Sequence, residues 1–238
     1  MTGMSDIGSL KEQMLQGLRI MTREALFEKA YGHISARVGD GHCLMTGHIH
    51  GQQRTLDDLG PADILLVDLD GNVEEGELET PGEFPIHTEV YKARPDVGCV
   101  VHCHPRAPVT LSIAGKDVLP VNFRGTIFSP RVRTFTDPTQ IDDEEKGRAM
   151  AEALGNDRAV VLRAHGVVCV GKDVPEAVVT TIDLNEVARF QLEASAIGEP
   201  LVVGEEYMRN GVIAGLEDEF FSSAWNYYVA RLGKETIR

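Results

Sequence analysis

The residues best placed to do chemistry in this sequence are two histidines, His102 and His104, at the end of a short apolar run. The run, residues 97–103, is rich in valine and follows an Arg-Pro pair, which predicts a short buried strand. Side chains alternate across a strand, so both imidazoles point to one side, about 6–7 Å apart at the backbone. Pro105 ends the strand. Both rings can therefore reach one metal ion, at a strand end where α/β proteins commonly hold their sites.

A second apolar run, residues 159–170, holds a lone His165-Gly166 pair at its centre. A histidine in an apolar strand needs a polar partner, and the neighbouring glycine allows another part of the backbone to approach closely. Three histidines from two strands, with an open position, form the layout of a catalytic divalent-metal site. From spacing alone, a hydrogen-bonded pair at a strand edge explains His102 and His104 equally well.

The composition is that of a globular protein, with 42% hydrophobic and 25% charged residues. A chain of 238 residues is long enough for a substantial core, and we expect one domain over residues 1–238. The net charge of −14, without a basic cluster, argues against nucleic acid and anionic membranes as partners. Four cysteines without a CxxC motif, no signal peptide and no apolar run of bilayer length indicate a cytoplasmic protein.

Hydrophobic periodicity and turn residues predict an α/β chain with a mixed central sheet, which has to hold the histidines in place. Helices are predicted over residues 5–30, 84–92, 142–154, 174–196 and 220–231. Strands are predicted over residues 31–38, 43–45, 64–69, 97–103 and 159–170, whereas residues 122–140 are predicted to be irregular. The last helix is rich in aromatic residues, so it is expected to pack against its own core or a neighbouring subunit.

Five motifs, in this order and at this spacing, resemble the class II aldolase/adducin family over about residues 8–200. They are Gly32-His-Ile-Ser35, Glu83-x-x-x-His87, Tyr91-x-x-Arg-Pro-Asp-Val97, Val100-Val-His-Cys-His104 and His165-Gly166. The resemblance implies a three-layer α/β/α fold with a central, mainly antiparallel sheet. It also implies a homotetramer with active sites between neighbouring subunits, to whose contacts residues 200–238 would contribute.

The resemblance further implies that His102, His104 and His165 hold one divalent metal ion per subunit, commonly zinc and in some members manganese or cobalt. Glu83 matches the acidic residue that family members place beside the metal, as an acid/base or an extra ligand. Adducin-type members lack the metal site and are structural, but this chain keeps all three histidines. A metal-dependent lyase is therefore expected, because a Lewis acid stabilises the charge that forms when a carbon–carbon bond breaks.

The motifs that hold phosphate in the family's sugar-phosphate aldolases are altered here. His33 stands where those enzymes have asparagine, a Thr-Gly-His-Ile loop spans residues 46–49, and Thr-Pro-Gly at 80–82 replaces a serine pair. We therefore expect a substrate without phosphate. An aldolase or epimerase for a hydroxy-carbonyl compound, less plausibly a phosphorylated one, is the alternative to the decarboxylase described next.

The Gly-His-x-Ser variant, with Ala-Trp-x-Tyr-Tyr-x-x-Arg at residues 224–231, resembles a branch that decarboxylates hydroxylated aromatic dicarboxylates, such as dihydroxyphthalate, in aromatic degradation. In that branch the metal would bind the phenolic oxygen and the neighbouring carboxylate. Glu83 or a water would reprotonate the ring carbon. His33 is a candidate second proton donor, and a strand-end histidine bonded to backbone explains it equally well.

A dicarboxylate substrate also needs groups that bind the carboxylate that stays. Arg124 and Arg131 lie in the irregular segment and could bind it through both oxygens. His48 lies in the loop that replaces the phosphate cradle, and Tyr227 could reach a neighbouring subunit's site. Neighbouring alternatives are Arg133, His50 and Tyr228.

Overall fold

Eight strands and six α-helices make up the part of the chain that the structure, a computed structural model, describes, which is residues 4–27, 29–203 and 217–234. The helices are α1 Met4–Arg23, α2 Pro85–Ala93, α3 Arg106–Ile113, α4 Glu144–Leu154, α5 Val174–Ser195 and α6 Glu217–Leu232. The strands are β1 His33–Val38, β2 His42–Thr46, β3 Ile64–Asp68, β4 Val73–Glu75, β5 Cys99–Cys103, β6 Thr134–Phe135, β7 Ala159–Leu162 and β8 Gly166–Gly171.

All eight strands form one sheet in the order β4-β3-β2-β1-β5-β8-β7-β6. Neighbouring strands are antiparallel except for β6 and β7, which are parallel. The predicted mainly antiparallel sheet is confirmed. At its centre β1 pairs with β5, and the register sets His33 directly opposite His102. Residues opposite each other in a sheet point to the same face, so β1 also contributes to the site.

Side-chain alternation divides the core between the two faces of the sheet. On one face, Val101 and Cys103 belong to the core formed with α1, α3, α5 and α6. On the other, Val100 and Val168 pack with α2 and α4. The three layers are therefore two helices, the sheet and four helices, in the described residues. Cys103 faces away from the neighbouring histidines, as predicted.

The aromatic helix α6 packs on the core of its own chain, where Phe221 and Trp225 are buried. Tyr227 points elsewhere and is 60% exposed. Of the segment 200–238, which is predicted to contact other subunits, residues 204–216 and 235–238 lie outside the described residues.

One helix prediction was wrong in its end point, and one helix was missed. Helix α1 ends at Arg23, not at residue 30, because Ala25 has a left-handed φ of 55°. The Leu26 N–H then donates to Met21 O at 3.0 Å, which closes the helix with a Schellman-type turn. Helix α3 was not predicted, since two prolines obscured it. A proline is tolerated in the first turn of a helix, where the N–H has no acceptor within the helix.

The apolar run 159–170 is a hairpin and not a single strand. Leu162 pairs with Gly166, and His165 lies in the three-residue turn between β7 and β8. Ala164 supplies the left-handed residue that such turns need, with φ of 56°. The expectation that His165 lies within a strand was therefore wrong.

Candidate metal centre and adjoining cavity

Three separate parts of the fold bring Glu83 together with the three motif histidines. His102 is in β5 and His104 follows it, His165 is in the β7–β8 turn, and Glu83 lies two residues before α2. One ligand atom from each of the four residues lies within 4.8 Å of the others. The donor set is three imidazoles and one carboxylate, which suits zinc and related divalent ions.

Glu83 is held by both of its carboxylate oxygens. Its Oε1 accepts a hydrogen bond of 3.2 Å from the backbone N–H of Ile141. Its Oε2 lies 3.6 Å from His102 Nε2 and 3.5 Å from His165 Nε2. Burial alone would raise the pKa of this carboxyl, but its interactions with His102 and His165 outweigh burial and hold the pKa well below its usual range. Glu83 is therefore a carboxylate at neutral pH.

Two ring nitrogens of the cluster are buried without a hydrogen-bond partner in the described part of the chain, His102 Nε2 and His104 Nδ1. The other nitrogen of His102, Nδ1, donates a hydrogen bond to Val167 O at 3.0 Å, so Nε2 is the ring nitrogen that is available to a metal ion. Burial, and then His102 and His165, lower the pKa of His104 to about 3. Buried imidazole nitrogens without a hydrogen-bond partner are what a metal ion requires, so these residues fit a divalent metal.

The turn that carries His165 is fixed by its surroundings. The Ala164 N–H donates to Ser112 Oγ of α3 at 3.0 Å. A Cβ on Gly166 would lie 2.5 Å from Cys103 O and 2.9 Å from the His104 ring. Only glycine allows this approach. The expected close approach at Gly166 is confirmed, and its neighbour is the strand that carries the other histidines.

A cavity of about 150 Å³ opens beside the cluster. Its walls come from residues 30–33, 47–50 and 81–83, together with Leu56, His104 and Gln140. The Tyr31 ring meets His50 edge-on at 4.5 Å between centroids. A cavity of about 150 Å³ has room for a benzene-sized ring.

His33 also lines this cavity, and its ring partner is a side chain, not backbone. Its Nδ1 lies 2.6 Å from His87 Nε2, and His87 Nδ1 lies 2.6 Å from Ser35 Oγ. Ser35 Oγ in turn lies 2.8 Å from the Tyr91 hydroxyl. Sequence reasoning did not assign roles to Ser35, His87 or Tyr91, although all three fall within the motifs that carry the family resemblance.

The other predicted substrate-binding residues fall in different places. His48 lines the cavity, and partial burial and His50 lower its pKa. Arg124 begins a short 3₁₀ helix and pairs with the buried Asp183 at 2.7 Å. Arg131 lies 3.5 Å from Asp117. Neither arginine is among the residues that line the cavity of its own chain, nor is Tyr227.

Comparison with known proteins agrees with the fold. Residues 12–192 match the family described as Class II Aldolase and Adducin N-terminal domain. The chain belongs to this family.

A 3,4-dihydroxyphthalate decarboxylase of Arthrobacter keyseri is 31% identical over 237 residues, which cover 93% of each protein. An L-fuculose phosphate aldolase of Methanocaldococcus jannaschii is 30% identical over 176 residues, 70% of this chain and 90% of that protein. The structure of an L-fuculose 1-phosphate aldolase from Glaciozyma antarctica PI12 superposes with a TM-score of 0.78, at 23% identity, over 94% of this chain and 89% of that one. Since these relatives are decarboxylases and aldolases, the protein is an enzyme with lyase activity.

The helices within the described residues include none with the length and apolar character needed to span a membrane.

Proposed function

We propose that this protein is a divalent-metal-dependent decarboxylase of a hydroxylated aromatic dicarboxylate, similar to dihydroxyphthalate. The observation that carries this proposal is the likeness to the Arthrobacter keyseri decarboxylase over almost the full length of both chains. The cavity supports it, because it has room for one ring and adjoins both Glu83 and His104. The ring would lie between the wall of residues 47–50 and the cluster.

His102, His104 and His165, with Glu83 beside them, would hold the metal, which when bound supplies a Lewis acid for the negative charge that develops on the substrate. Glu83 is ionised at neutral pH and can first accept the proton of the substrate's phenolic hydroxyl. The bond between the ring and the leaving carboxylate then breaks, CO2 departs, and the electron pair stays on the ring. Glu83 returns its proton to the ring carbon, so that protons and electrons balance.

A metal-dependent aldolase or epimerase for a hydroxy-carbonyl substrate is the second candidate. The likeness to the Methanocaldococcus jannaschii aldolase favours it, as does the carboxylate beside the histidines, which suits proton transfer next to a carbonyl. Pro81 and Gly82 line the cavity and carry neither a hydroxyl nor a cation for a phosphate. The aldolase substrate would therefore be unphosphorylated.

The oligomer and the metal belong to the same proposal. We infer a cytoplasmic homotetramer with one zinc ion per subunit, or manganese or cobalt in its place, acting in aromatic degradation. Arg124, Arg131 and Tyr227 would then serve the cavity of a neighbouring subunit. Their exposure supports this, since the Arg124 and Arg131 side chains are 49% and 56% exposed.

Hybrid oligomers test that arrangement. His102→Ala and Arg131→Ala subunits, each weakly active alone, would be mixed, dissociated and reassembled. If Arg131 serves a neighbour, some hybrid sites combine a native His102 with a native Arg131, and activity returns. A mixture that is no more active than its components would place Arg131 outside the neighbour's site.

A substrate screen with detection of released CO2 tests the reaction itself. The metal-replete enzyme would be given ortho-hydroxylated aromatic dicarboxylates and, separately, phosphorylated and unphosphorylated aldol substrates. We expect CO2 from the aromatic acids alone. Aldehyde release without CO2 would make the protein an aldolase, and efficient cleavage of a sugar phosphate would also overturn the argument from Pro81 and Gly82.

A further inference from the structure

An unbranched chain of hydrogen bonds leads from the interior of the protein to the cavity. It links Tyr91, Ser35, His87 and His33 in that order, through distances of 2.8, 2.6 and 2.6 Å. Ser35 and His87 are fully buried, and Tyr91 and His33 are 2% and 7% exposed. The chain lies between β1 and α2, and only its His33 end borders the cavity.

The position of every proton in this hydrogen-bond chain follows from the Tyr91 hydroxyl at its inner end. Among the described residues, Ser35 Oγ is the one hydrogen-bond partner of the Tyr91 hydroxyl, so Tyr91 donates to it. Ser35 then has one acceptor left for its own proton, His87 Nδ1. His87 must therefore carry its proton on Nε2, which donates to His33 Nδ1. His33 in turn carries its proton on Nε2.

Every other arrangement fails at one of the two hydroxyl groups. If His87 donated from Nδ1 to Ser35, the Ser35 proton could go only to Tyr91, and the Tyr91 proton would have no acceptor among the described residues. If both Tyr91 and His87 donated to Ser35, the Ser35 proton would be the one left over. A buried hydroxyl without an acceptor is strongly disfavoured, so the chain has one direction.

We propose that Ser35 and His87 are positioning residues that fix His33 with its proton on Nε2, and that His33 thereby offers a hydrogen-bond donor to the ligand in the cavity. His33 Nδ1 is occupied by His87, so Nε2 is the ring nitrogen that remains for the cavity. Tyr91 closes the far end of the chain. The ligand group at this point is an acceptor, namely a carboxylate, phenolate or carbonyl oxygen.

This arrangement gives the two groups beside the cavity opposite tasks. Glu83 presents carboxylate oxygens to the cluster, whereas His33 with its proton on Nε2 donates a hydrogen bond and cannot act as a base through that nitrogen. A fixed donor that faces an oxygen where negative charge develops is a common source of transition-state stabilisation. The choice of a carboxylate oxygen as the acceptor rests on the proposed decarboxylase function, but the position of the proton does not.

Nitrogen NMR of the metal-replete protein, labelled with ¹⁵N in its histidines, tests the proton position without any substrate. The signals of His33 would be assigned by their loss in His33→Gln. We expect an unprotonated Nδ1 and a protonated Nε2 in the wild type. A proton on Nδ1 of His33 would overturn the proposal, whatever reaction the enzyme catalyses.

Two hydroxyl deletions in the same chain separate positioning from general structural damage. Ser35→Ala removes the group that sets the direction, so the His33 proton should distribute between both nitrogens, while the metal content stays the same. Tyr91→Phe is the matched control, because the Ser35 proton still has His87 Nδ1 as its one acceptor and His33 should keep its tautomer. Unchanged His33 signals in Ser35→Ala, or a changed tautomer in Tyr91→Phe, would contradict the assigned direction.

Two replacements of His33 test the donor itself once a substrate is known. The amide nitrogen of Gln can reach near the Nε2 position, whereas the shorter Asn places its amide near Nδ1. We expect His33→Gln to keep kcat within about tenfold of the wild type and His33→Asn to lose about a hundredfold, with metal retained in both. Equal losses would remove the donor role. A protein that releases no CO2 from any aromatic acid would refute the proposed reaction and leave the NMR result standing.

Discussion

The metal cluster lies at the end of β5, and the hydrogen-bond chain from Tyr91 to His33 lies beside it on the neighbouring strand β1. Both groups bury imidazole rings. In the cluster, His102 Nε2 and His104 Nδ1 lack hydrogen-bond partners among the described residues. In the chain, Ser35 and His87 use their buried polar side-chain atoms in hydrogen bonds. Buried polar atoms are normally paired. The metal cluster therefore requires a binding partner that the polypeptide does not supply, whereas Ser35 and His87 already have theirs.

This difference in hydrogen bonding separates the residues that bind a metal from the residues that position His33. His102 and His33 face each other across the β1–β5 pair with ring centroids 5.1 Å apart, so the two groups meet there. Counting unpaired atoms distinguishes them where residue type and burial alone do not.

Removing a cluster histidine should have the largest effect. His102→Ala removes one of the unpaired nitrogens, so we expect loss of bound metal and a fall in activity of at least about a thousandfold, with the fold retained. Metal analysis, steady-state kinetics and circular dichroism measure these results. His42→Ala is a matched control, because His42 is in β2, two strands away from β5, and is partly exposed and paired with Glu74 at 3.1 Å. A metal-free but fully active His102→Ala protein would refute the site.

Glu83→Gln keeps the size of the side chain and removes its charge. The histidines remain, so metal should be retained while turnover falls by about 10²–10⁴, the usual contribution of a group that transfers protons. Metal content and kcat are the measurements. If metal is lost in proportion to activity, Glu83 acts mainly as a ligand.

Acid should destabilise the metal-free protein, because His87 in the hydrogen-bond chain resists protonation in the folded state. Burial, and then the neighbouring His102 ring, lower the pKa of His87 from 6.5 to about 3. Between these pH values the unfolded chain binds a proton that the folded chain does not, so the free energy of unfolding falls as the pH falls. The contribution of His87 is about 5 kcal/mol over the whole window.

Urea unfolding of the chelator-treated protein between pH 4 and 7 measures this dependence. His104 and His33 shift in the same direction and contribute to the slope. His87→Gln should therefore make the slope shallower without abolishing it. A variant with the wild-type slope would show that His87 is protonated in the folded state too.

Ser35→Ala should cost less than full acidification. It leaves His87 Nδ1 and the Tyr91 hydroxyl without their partner, and one unsatisfied buried group costs about 1–3 kcal/mol. Chemical denaturation is the measurement, with the exposed Ser222→Ala in α6 as control. A loss of metal in Ser35→Ala would show that metal binding depends on the hydrogen-bond chain, against the distinction between the two groups.

The smallest effect is expected from the cavity wall. His48→Ala should raise KM by up to about tenfold and leave the metal in place, because His48 lines the cavity but is not one of the four clustered residues. Kinetics with the substrate found in the screen would test this. An unchanged KM would make His48 a solvated loop residue.

The family and the fold could be predicted from the sequence, because the motifs and the strand patterns are local. The alternation that sets His102 and His104 on one side is a property of three consecutive residues, 102–104. The hairpin around His165 could not be recognised, since one apolar run conceals its turn. The partners of His33 were also out of reach, because they depend on β1 lying beside β5 and on α2 covering that face.

The sheet and its turn hold the cluster histidines, whereas a loop forms the opposite wall of the cavity. This arrangement determines where substitutions can alter the substrate without loss of the metal. The histidines of the cluster are anchored by β5 and the β7–β8 turn, and Gly166 tolerates no side chain there. The opposite wall, residues 47–50, supplies none of the four clustered residues. Mutagenesis libraries confined to His48 and His50 of that wall should therefore change the substrate preference of the enzyme while the four clustered residues still hold the metal. This separation also offers a physical route by which one scaffold could diversify into aldolases and decarboxylases.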